Sequence, residues 1–378
     1  MPETPPSLPV RLLARIAVLA ALAVSPAGAS LAAESSDPQA TYSMADFAAV
    51  RKFDAHTHVN TLEGGGLLDQ AKRDGFEILS INVDYPAFNP HEEQYRIALE
   101  LQKREPRVFH FAATFSMNGW GEPGWSERVA AHLQDAVKQG ALAFKVWKNI
   151  GMSFRDRNGK LVMLDDPGFD PVWRQIESLG VPVIGHLGEP RNCWLPLEEM
   201  TTENDRGYFR EHPEYYMYLH PEMPSYEDQI AARDRFLARA PARLRFVGAH
   251  LASLEWSVER LAQFLNTYPQ AVVDLAARIT NVQAQSSEHH DAVREFFIRY
   301  QDRILYATDL TQSADAPPDE VAKEAAARWR SDWKYLATGE TQYVEDLKRD
   351  VRGLALPRAV IDKIYYTNAQ SAFSLTRR

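Results

Sequence analysis

The sequence alternates between short apolar runs and longer stretches of helical periodicity, and this alternation constrains the fold more than any other feature. Helical stretches such as residues 91–104 and 226–239 separate the runs. Strands that alternate with helices form a parallel sheet, and eight such units close a (β/α)8 barrel. We therefore predict an α/β fold, a TIM barrel with extended loops at its C-terminal face. The predicted strands are residues 51–59, 76–83, 108–114, 141–147, 181–186, 245–250, 271–275 and 303–309.

The composition is that of a globular protein with enough apolar material for a large core. The chain has 378 residues, of which 45% are hydrophobic and 25% are charged, and its formal net charge is -9. Nucleic-acid binding depends on lysine and arginine, so this acidic balance argues against a nucleic-acid partner. We expect a small-molecule substrate as the partner, and homo-oligomerisation stays open.

The N-terminus has the pattern of an export signal. Arg11 and Arg15 precede an apolar run at residues 16–24, and Ala27-Gly28-Ala29 has the form of a signal-peptidase site. The apolar run is too short to span a bilayer. We expect a signal peptide with its lead-in at residues 1–33, and a periplasmic or secreted protein with no stable membrane association after cleavage. An uncleaved membrane anchor is the alternative.

The first predicted strand carries two histidines separated by one residue. Because side chains alternate between the faces of a strand, Asp54, His56 and His58 are expected on one face and Phe53 on the other. Two neutral imidazoles one pleat apart can bind one metal ion without bending the backbone. A surface strand with two solvated histidines is the alternative. A metal site is favoured only if the rest of the chain supplies further ligands.

Polar residues also end other predicted strands, and barrel enzymes place their chemistry at these C-terminal ends. The residues in question are Lys145, His186, His250 and Asp309. Any single histidine would equally suit a hydrogen-bonded core imidazole, but five strand ends that agree predict one common site. Its expected metal ligands are His56, His58, His186 and Asp309, with Lys145 and His250 as further candidates.

These residue types suit reactions that depend on a divalent ion. Nitrogen and oxygen ligands can hold the ion and leave a position for water, whose pKa falls toward about 7 on zinc. Asp309 is expected to take that proton and pass it to a leaving group. His250 either binds metal or polarises the substrate, and we give the second role priority. Asp309 and His250 are thus the predicted catalytic residues, and one or two ions, zinc first, are the predicted cofactor.

Lys145 has three alternative interpretations. An inward lysine is costly unless it is paired. It is therefore carbamylated and bridges two metal ions, or it is neutralised by Asp309 or a substrate carboxylate, or it forms a salt bridge at the rim. The sequence does not choose between them.

Residues 187–225, which we call the lid segment, show no clear periodicity. Loops of this length are usually functional, so we predict a lid over the site, with a structural excursion packed on the barrel as the alternative. Side chains just past the strand ends are expected to bind a substrate with a carboxylate and a flat or sugar-like body, because guanidinium groups bind carboxylates and indoles cover apolar faces. These candidates are Trp147, Glu189, Arg191, Trp194 and Arg278. Alternatively, Arg191 and Glu189 only hold the lid in place.

Five short motifs follow one another along the chain. They are Phe53-Asp54-Ala55-His56-Thr57-His58, Ile184-Gly185-His186, Val247-Gly248-Ala249-His250, Leu305-Tyr306-Ala307-Thr308-Asp309 and Tyr366-Thr367-Asn368-Ala369. In this order the chain resembles the amidohydrolase superfamily, specifically its amidohydrolase-related branch. The resemblance implies a metal-dependent barrel in which His56, His58, His186 and Asp309 bind metal and His250 is a ligand or a catalytic group. Lys145 stands where some members carry a bridging carbamate, yet this branch often has a single metal, so the number of ions stays open.

The predicted function is that of a metal-dependent hydrolase barrel at residues 45–378. Metal-activated water would attack an amide, ester or lactone bond of a small substrate that carries a carboxylate. The resemblance also covers non-oxidative decarboxylases, so a metal-dependent lyase is the alternative enzyme. A non-catalytic exported binding protein is a third hypothesis, but it predicts a missing ligand and the sequence lacks none.

Overall fold

Eight short parallel strands follow one another around a ring in the computed structural model, which describes residues 40–63, 65–85 and 88–375. The signal peptide predicted at residues 1–33 lies outside the described residues. The ring strands are β1 (Lys52–Val59), β2 (Phe76–Ile81), β3 (Phe109–Ala112), β4 (Phe144–Val146), β5 (Val183–Gly185), β6 (Phe246–Gly248), β7 (Ala271–Asp274) and β8 (Ile304–Leu305). They confirm the predicted α/β barrel class and the order of its strands.

Backbone hydrogen bonds join the strands across two sheets. One sheet has the order β3-β2-β1-β9, where β9 is Leu310–Gln312, and the other has the order β4-β5-β6-β7-β8. The N–H of Lys145 donates to the carbonyl of Ala113 at 2.8 Å, which links the β3 side to β4. At the opposite seam, the N–H of Ala55 donates to the carbonyl of Tyr306 at 3.0 Å. These contacts connect β1 to the end of β8 and complete the ring.

The helices fall between the strands. They are α1 (Leu67–Asp74), α2 (His91–Arg104), α3 (Trp125–Gln139), α4 (Asn149–Met152), α5 (Asp170–Leu179), α6 (Glu203–Glu211), α7 (Tyr226–Arg239), α8 (Ala249–Ala252), α9 (Val258–Thr267), α10 (Ile279–Arg299), α11 (Pro318–Ala337), α12 (Arg358–Asp362) and α13 (Asn368–Ala372). A π-helical turn at Lys363–Thr367 joins α12 to α13, and an antiparallel hairpin pairs β10 (Thr341–Val344) with β11 (Arg349–Arg352). The structure matches both bounds predicted for α2 and α7.

Local sequence explains where several helices begin and end. The hydroxyl of Ser225 accepts the N–H of Asp228, and the Asp228 carboxylate accepts the N–H of Ser225, so a capping box starts α7. Thr202 caps α6 in a similar way by accepting the N–H of Asp205. Gly140 ends α3 with φ of 116°, a left-handed conformation that costs a residue with a Cβ atom more than glycine.

Apolar side chains of the strands separate into two clusters on opposite faces of the ring. One cluster fills the ring interior and includes Phe53, Leu79, Ile184, Val247 and Leu305. The other packs between the ring and the surrounding helices, and its largest members come from both layers. They include Phe76, Phe111 and Phe144 of the strands, Trp173 of α5 and Trp329 of α11. The barrel interior is thus a packed core, as in barrels whose sites lie beyond the C-terminal strand ends.

A β-bulge in β1 alters the expected pattern of its faces. The pairing with β2 advances three residues on β1, from Asp54 to Thr57, while β2 advances from Ile78 to Ser80. The Asp54 carboxylate therefore accepts a hydrogen bond at 2.9 Å from the indole N–H of Trp329, on the helix-facing side. The prediction that Asp54 shares a face with His56 is wrong, because the extra residue interrupts the period of two.

The lid segment is more ordered than its lack of periodicity suggests. It contains α6 and several short 3-10 turns, which pack with Met152 of α4 around an apolar cluster. That cluster comprises Met152, Cys193, Met200, Phe209, Tyr216 and Met217. Because this cluster is separate from the two barrel clusters, the segment forms a small local core at the C-terminal face.

Across the described ranges, none of the helices combines the length and the apolar character that a bilayer crossing requires.

Candidate metal centre at the strand ends

The ring brings together the side chains that the sequence predicted as ligands. The imidazole ring centroids of His56 and His250 lie 4.9 Å apart, and those of His186 and His250 lie 4.1 Å apart. One ligand atom each from His56, His250 and Asp309 lies within 4.8 Å of the others. His58 joins them, since its Nε2 is 3.2 Å from Oδ1 of Asp309. Residues from strands on both sheets thus meet at one mouth.

Unusual backbone conformations aim two of these side chains. His250 has φ of 55° just after β6, and Asp309 has φ of 70° between β8 and β9. Left-handed conformations cost a residue with a Cβ atom roughly 1–2 kcal/mol. Such residues often mark functional sites, where the surrounding structure holds them in place. The eighth predicted strand, residues 303–309, is shorter in the structure, where β8 ends at Leu305 and Asp309 lies just before β9.

Three of the four site histidines use the same ring nitrogen to contact an oxygen on the side away from the site. Carboxylate and carbonyl oxygens in these contacts only accept hydrogen bonds, so each Nδ1 carries the proton and each Nε2 keeps its lone pair. The contacts are His56 Nδ1 to Asp274 Oδ2 at 2.9 Å, His58 Nδ1 to the Ile81 carbonyl at 2.7 Å and His250 Nδ1 to the Ala276 carbonyl at 3.0 Å. Histidines that bind metal ions show this same arrangement.

His186 differs from the other three histidines. Its Nε2 is buried and has no hydrogen-bond partner in the described part of the chain, although the ring lies against His250. Buried polar atoms are nearly always paired, so an unpaired one needs an explanation. A bound cation would supply the missing partner of this nitrogen.

Burial and nearby charges control protonation at the site. Burial lowers the pKa of His56, His186 and His250, and the positive charge of Lys145 lowers each of them further. Burial alone would raise the pKa of Asp309, but its contact with His58 and the nearby imidazoles of His250 and His56 hold that pKa well below its usual range. At neutral pH these three imidazoles are therefore neutral and the carboxylate is charged, as metal ligands must be.

Lys145 is buried within this group of histidines. Its Nζ lies 3.1 Å from Nε2 of His56, and burial lowers its pKa to about 8. It makes no salt bridge with any residue that the structure describes. The interpretation as a rim salt bridge is wrong, because the barrel carries the lysine inward. A carbamate, or neutralisation by Asp309 or a substrate carboxylate, remains.

The donor set fits a divalent cation. Four imidazole nitrogens and a carboxylate suit zinc and similar borderline ions, which favour nitrogen and oxygen ligands. Asp309 Oδ1 lies 3.5 Å from Nε2 of His56 and 3.2 Å from Nε2 of His58. The unpaired Nε2 of His186 supports the same conclusion.

Most of the predicted substrate residues hold the lid segment in place. Glu189 forms a buried ion pair with Lys148. The guanidinium of Arg191 stacks over the Trp256 ring at 4.4 Å. The indole of Trp194 donates to the Pro224 carbonyl at 3.2 Å within the segment. These contacts agree with the alternative that the sequence left open for Arg191 and Glu189.

Two predicted substrate residues have positions that suit substrate contact. Trp147 stacks near Tyr85 at 4.9 Å, and Phe88 lies 5.1 Å from Tyr85 and 5.3 Å from the His58 ring. These rings form an aromatic wall that leads to the histidines. Arg278 is buried, and none of the residues that the structure describes forms a hydrogen bond with its Nε. The positive charge of Arg278 also lowers the pKa of His250.

A cavity of about 760 Å³ reaches the candidate centre from the side of α6. Asp309 and Thr308 line this cavity together with residues of α6 and residues that follow β10. Its acidic lining residues include Glu203, Asp205, Glu324 and Asp346. The lid segment therefore borders the space that opens onto Asp309.

Sequence reasoning missed one residue of the centre, Asp274. It accepts hydrogen bonds from His56 Nδ1 and from the backbone N–H of His250 at 2.8 Å. The prediction of ligands from polar strand ends would have found it, had the seventh strand been ended at Asp274 rather than at Leu275.

Comparisons with known proteins point to one family. A family model described as amidohydrolase matches residues 53–375. None of the curated proteins matches this sequence. Among solved structures, 2,6-dihydroxybenzoate decarboxylase from Rhizobium aligns with a TM-score of 0.52 and 17% identity over 86% of this chain and 99% of that chain.

Two further solved structures align less closely. The 5-carboxyvanillate decarboxylase from Sphingomonas paucimobilis aligns with a TM-score of 0.44 and 13% identity, over 86% of this chain and 99% of that one. The L-hydantoinase from Arthrobacter aurescens aligns with a TM-score of 0.44 and 13% identity, over 87% of this chain and 72% of that one. The 2,6-dihydroxybenzoate decarboxylase is also known in complex with 2,6-dihydroxybenzoate. At identities of 13–17%, the similarity of this chain to these structures shows a shared fold and no more.

Proposed function

Because this chain belongs to the amidohydrolase family, we propose that it is a metal-dependent hydrolase that cleaves an amide, ester or lactone bond of a small substrate. Family membership supports an enzyme with a divalent cation but leaves the reaction open. The proposal therefore depends on the arrangement of the side chains at the strand ends.

One observation carries the proposal. His56, His58 and His250 each donate through Nδ1, so their Nε2 atoms carry no proton, and the buried Nε2 of His186 has no hydrogen-bond partner among the described residues. Burial of four such nitrogens and the charged carboxylate of Asp309 would cost free energy in an apolar core, but these groups suit a cation site. Their convergence supports metal binding more directly than any single residue.

His56, His58, His186 and Asp309 would hold the cation, as the sequence predicts. A bound divalent ion would supply Lewis acidity, which lowers the pKa of a coordinated water and polarises a carbonyl group. Asp309 carries a negative charge at neutral pH, so it can accept a proton from water and return it to the leaving group. Its position at the break between β8 and β9 places this carboxylate on the cavity wall.

The role of His250 follows from its tautomer. Its Nδ1 donates to the Ala276 carbonyl, so the neutral ring can only accept a hydrogen bond or bind a cation through Nε2. A neutral His250 therefore cannot donate a hydrogen bond to a substrate carbonyl. We assign it as a further ligand or as a proton acceptor in place of the polarising role.

Arg278 and the aromatic wall support a substrate with an anionic group and a flat or apolar body. Arg278 Nη1 lies 4.0 Å from Oδ1 of Asp205, a contact at the limit of an ion pair, and its Nε has no hydrogen-bond partner within residues 40–63, 65–85 and 88–375. A substrate carboxylate could complete this hydrogen bonding. The wall of Trp147, Tyr85 and Phe88 would cover the apolar body.

Metal analysis and a substrate screen test the proposed function. The purified protein should contain about one or two equivalents of a divalent ion by elemental analysis, and should hydrolyse at least one member of a panel of amides, esters and lactones that carry a carboxylate. A parallel panel of hydroxybenzoic acids should release no CO₂. Release of CO₂ without any hydrolysis would reject the hydrolase in favour of a decarboxylase, and absence of bound metal would reject the metal centre.

A further inference from the structure

Asp274 at the end of β7 contacts two of the site histidines at once. Its Oδ2 lies 2.9 Å from Nδ1 of His56, and its Oδ1 accepts the backbone N–H of His250 at 2.8 Å. Oδ1 also accepts the N–H of Ala276 at 3.2 Å. The side chain is only 1% exposed. The Asp274 carboxylate therefore connects the His56 imidazole on β1 with the backbone at His250, just after β6.

Two neighbours of opposite character determine the tautomer of His56. Asp274 offers only an acceptor to Nδ1, and the ammonium of Lys145 offers only a donor to Nε2, at 3.1 Å. Only a ring protonated at Nδ1 satisfies both contacts. Oδ1 of Asp309 also faces Nε2, but at 3.5 Å, which is too long to reverse this preference.

The second contact of Asp274 supports a strained turn. Residues 250–253 all have positive φ, from 55° to 57°, and none of them is glycine. Each such residue costs roughly 1–2 kcal/mol, so the turn needs external support. The carboxylate supplies that support at His250, the first residue of the turn.

We propose that Asp274 is a positioning residue that prepares the metal centre before the cation binds. It holds His56 in the tautomer with an unprotonated Nε2, and it places His250 beside that nitrogen. The inference rests on the proposed metal site, but it concerns contacts that exist without the cation. Neither contact depends on which bond the enzyme cleaves.

Replacement of Asp274 by asparagine separates its two contacts. An asparagine side chain keeps one acceptor oxygen and turns the other position into an NH₂ donor. Either His56 Nδ1–H or the backbone N–H of His250 then faces a donor and loses its partner. The variant keeps the size of the side chain, so loss of volume does not complicate the result.

The tautomer is measured first in the wild-type protein. Metal-free protein labelled with ¹⁵N-histidine should show His56 protonated at Nδ1 in a long-range ¹H–¹⁵N spectrum, with the signal assigned by its absence from His56→Ala. This measurement needs no altered Asp274, so it remains decisive if Asp274→Asn does not fold. A His56 ring protonated at Nε2 would overturn the inference.

Zinc affinity is the second measurement, by calorimetric titration of the metal-free proteins. Asp274→Asn should bind zinc roughly 10–100-fold more weakly than wild type and should lose the Nδ1-protonated signal of His56. Asp332→Asn is the matched control, since it removes a buried carboxylate that pairs with Tyr306 rather than with a site histidine. It should bind zinc as wild type does. Equal zinc affinity and an unchanged His56 signal in Asp274→Asn would contradict the inference. If wild type binds no zinc, the proposed function fails. The His56 tautomer in the metal-free protein would still show whether Asp274 keeps the His56 proton on Nδ1.

Discussion

The buried Nε2 of His186, which has no hydrogen-bond partner among the described residues, should lower the stability of the metal-free protein. A buried polar atom without a partner destabilises a protein by roughly 1–3 kcal/mol. The other three site histidines avoid much of this cost, because each donates a hydrogen bond through Nδ1. Replacement of His186 should therefore affect cation binding and the free energy of unfolding differently.

We expect His186→Leu to weaken zinc binding at least tenfold without destabilising the metal-free protein. Leucine has a similar volume and removes the unpaired nitrogen, so the free energy of unfolding should stay equal or rise. Calorimetric zinc titration and urea unfolding of the metal-free protein measure the two effects. His132→Leu is the control, because its Nε2 is paired with the Thr114 carbonyl at 3.0 Å. That variant should lose stability and keep zinc, and the reverse pattern would argue against His186 as a ligand.

Asp309 allows a conservative test of proton transfer. We expect Asp309→Asn to reduce kcat by roughly 10²–10⁴-fold, because the amide cannot accept the proton from water. The fold should survive, since asparagine tolerates the left-handed conformation at φ of 70° better than most residues. Thermal unfolding and steady-state kinetics measure both results. Asp315→Asn, an exposed change soon after β9, should be neutral, and a fully active Asp309→Asn would exclude the proposed role.

The lid segment behaves as an element with its own core. Phe209 of α6 is 1% exposed and packs with Cys193, Met200 and Tyr216, none of which belongs to the barrel clusters. Such a unit can open without unfolding the barrel. Its contacts with the cavity then affect access of the substrate more than binding of the metal.

We expect Phe209→Ala to loosen the lid segment and to raise KM while metal content stays constant. Loss of a buried phenylalanine costs roughly 3–5 kcal/mol, and here the cost falls on the local core. Limited proteolysis should cut within residues 187–225 faster than in wild type. Phe264→Ala in α9 is the control, since Phe264 packs in the cluster outside the ring and should lower Tm without faster cleavage there. Loss of metal together with unchanged proteolysis would show that the segment is not a separate unit.

Helix α11 docks on the ring through an ionisable contact. Asp332 is buried and accepts a hydrogen bond from the Tyr306 hydroxyl at 2.9 Å, and burial raises the pKa of Asp332 to about 6. A raised folded-state pKa means that the neutral acid is favoured in the folded protein. The stability from this group is therefore complete below about pH 4, its value in the unfolded chain, and is lost as the pH rises through 6.

We expect Asp332→Asn to reduce the fall in stability between pH 4 and pH 7. Asparagine stays neutral and can still accept the hydrogen bond of Tyr306, so the variant should match wild type at pH 4 and exceed it at pH 7. Urea unfolding at a series of pH values measures the difference between the two proteins. Parallel curves across this range would mean that Asp332 does not titrate with a raised pKa.

At the scale of the whole molecule, periodicity in the sequence predicted the barrel because its strands are short, apolar and separated by regular helices. It predicted both bounds of α2 and α7. The N-terminal turns of α10 were missed, since Ile279–Ser286 contains little charge to mark a helix face. The β10–β11 hairpin was also missed, because its residues alternate in exposure without an apolar pattern.

The sequence predicted those residues of the candidate centre whose position depends only on the end of their own strand. His56, His186 and His250 follow from polar residues at the ends of apolar runs. The bulge that turns Asp54 away from His56 was not predictable, because an extra residue leaves no mark in a period of two. The tautomers were equally hidden, since they depend on carbonyl groups such as that of Ala276, which any residue type would supply.

The position of the centre between two sheets predicts a global effect of the metal. His56 and His58 belong to the sheet of β1, whereas His186 and His250 follow strands of the other sheet, so a cation bound by both sets would connect them. Zinc at about 100 times its Kd should stabilise the protein by about 2.7 kcal/mol and raise Tm by a few degrees. Differential scanning calorimetry with zinc and with a chelator measures this shift. His186→Leu should show a smaller shift, because it loses one of the two histidines that follow strands of the second sheet. An equal rise of Tm in that variant would mean that zinc stabilises the protein from another site.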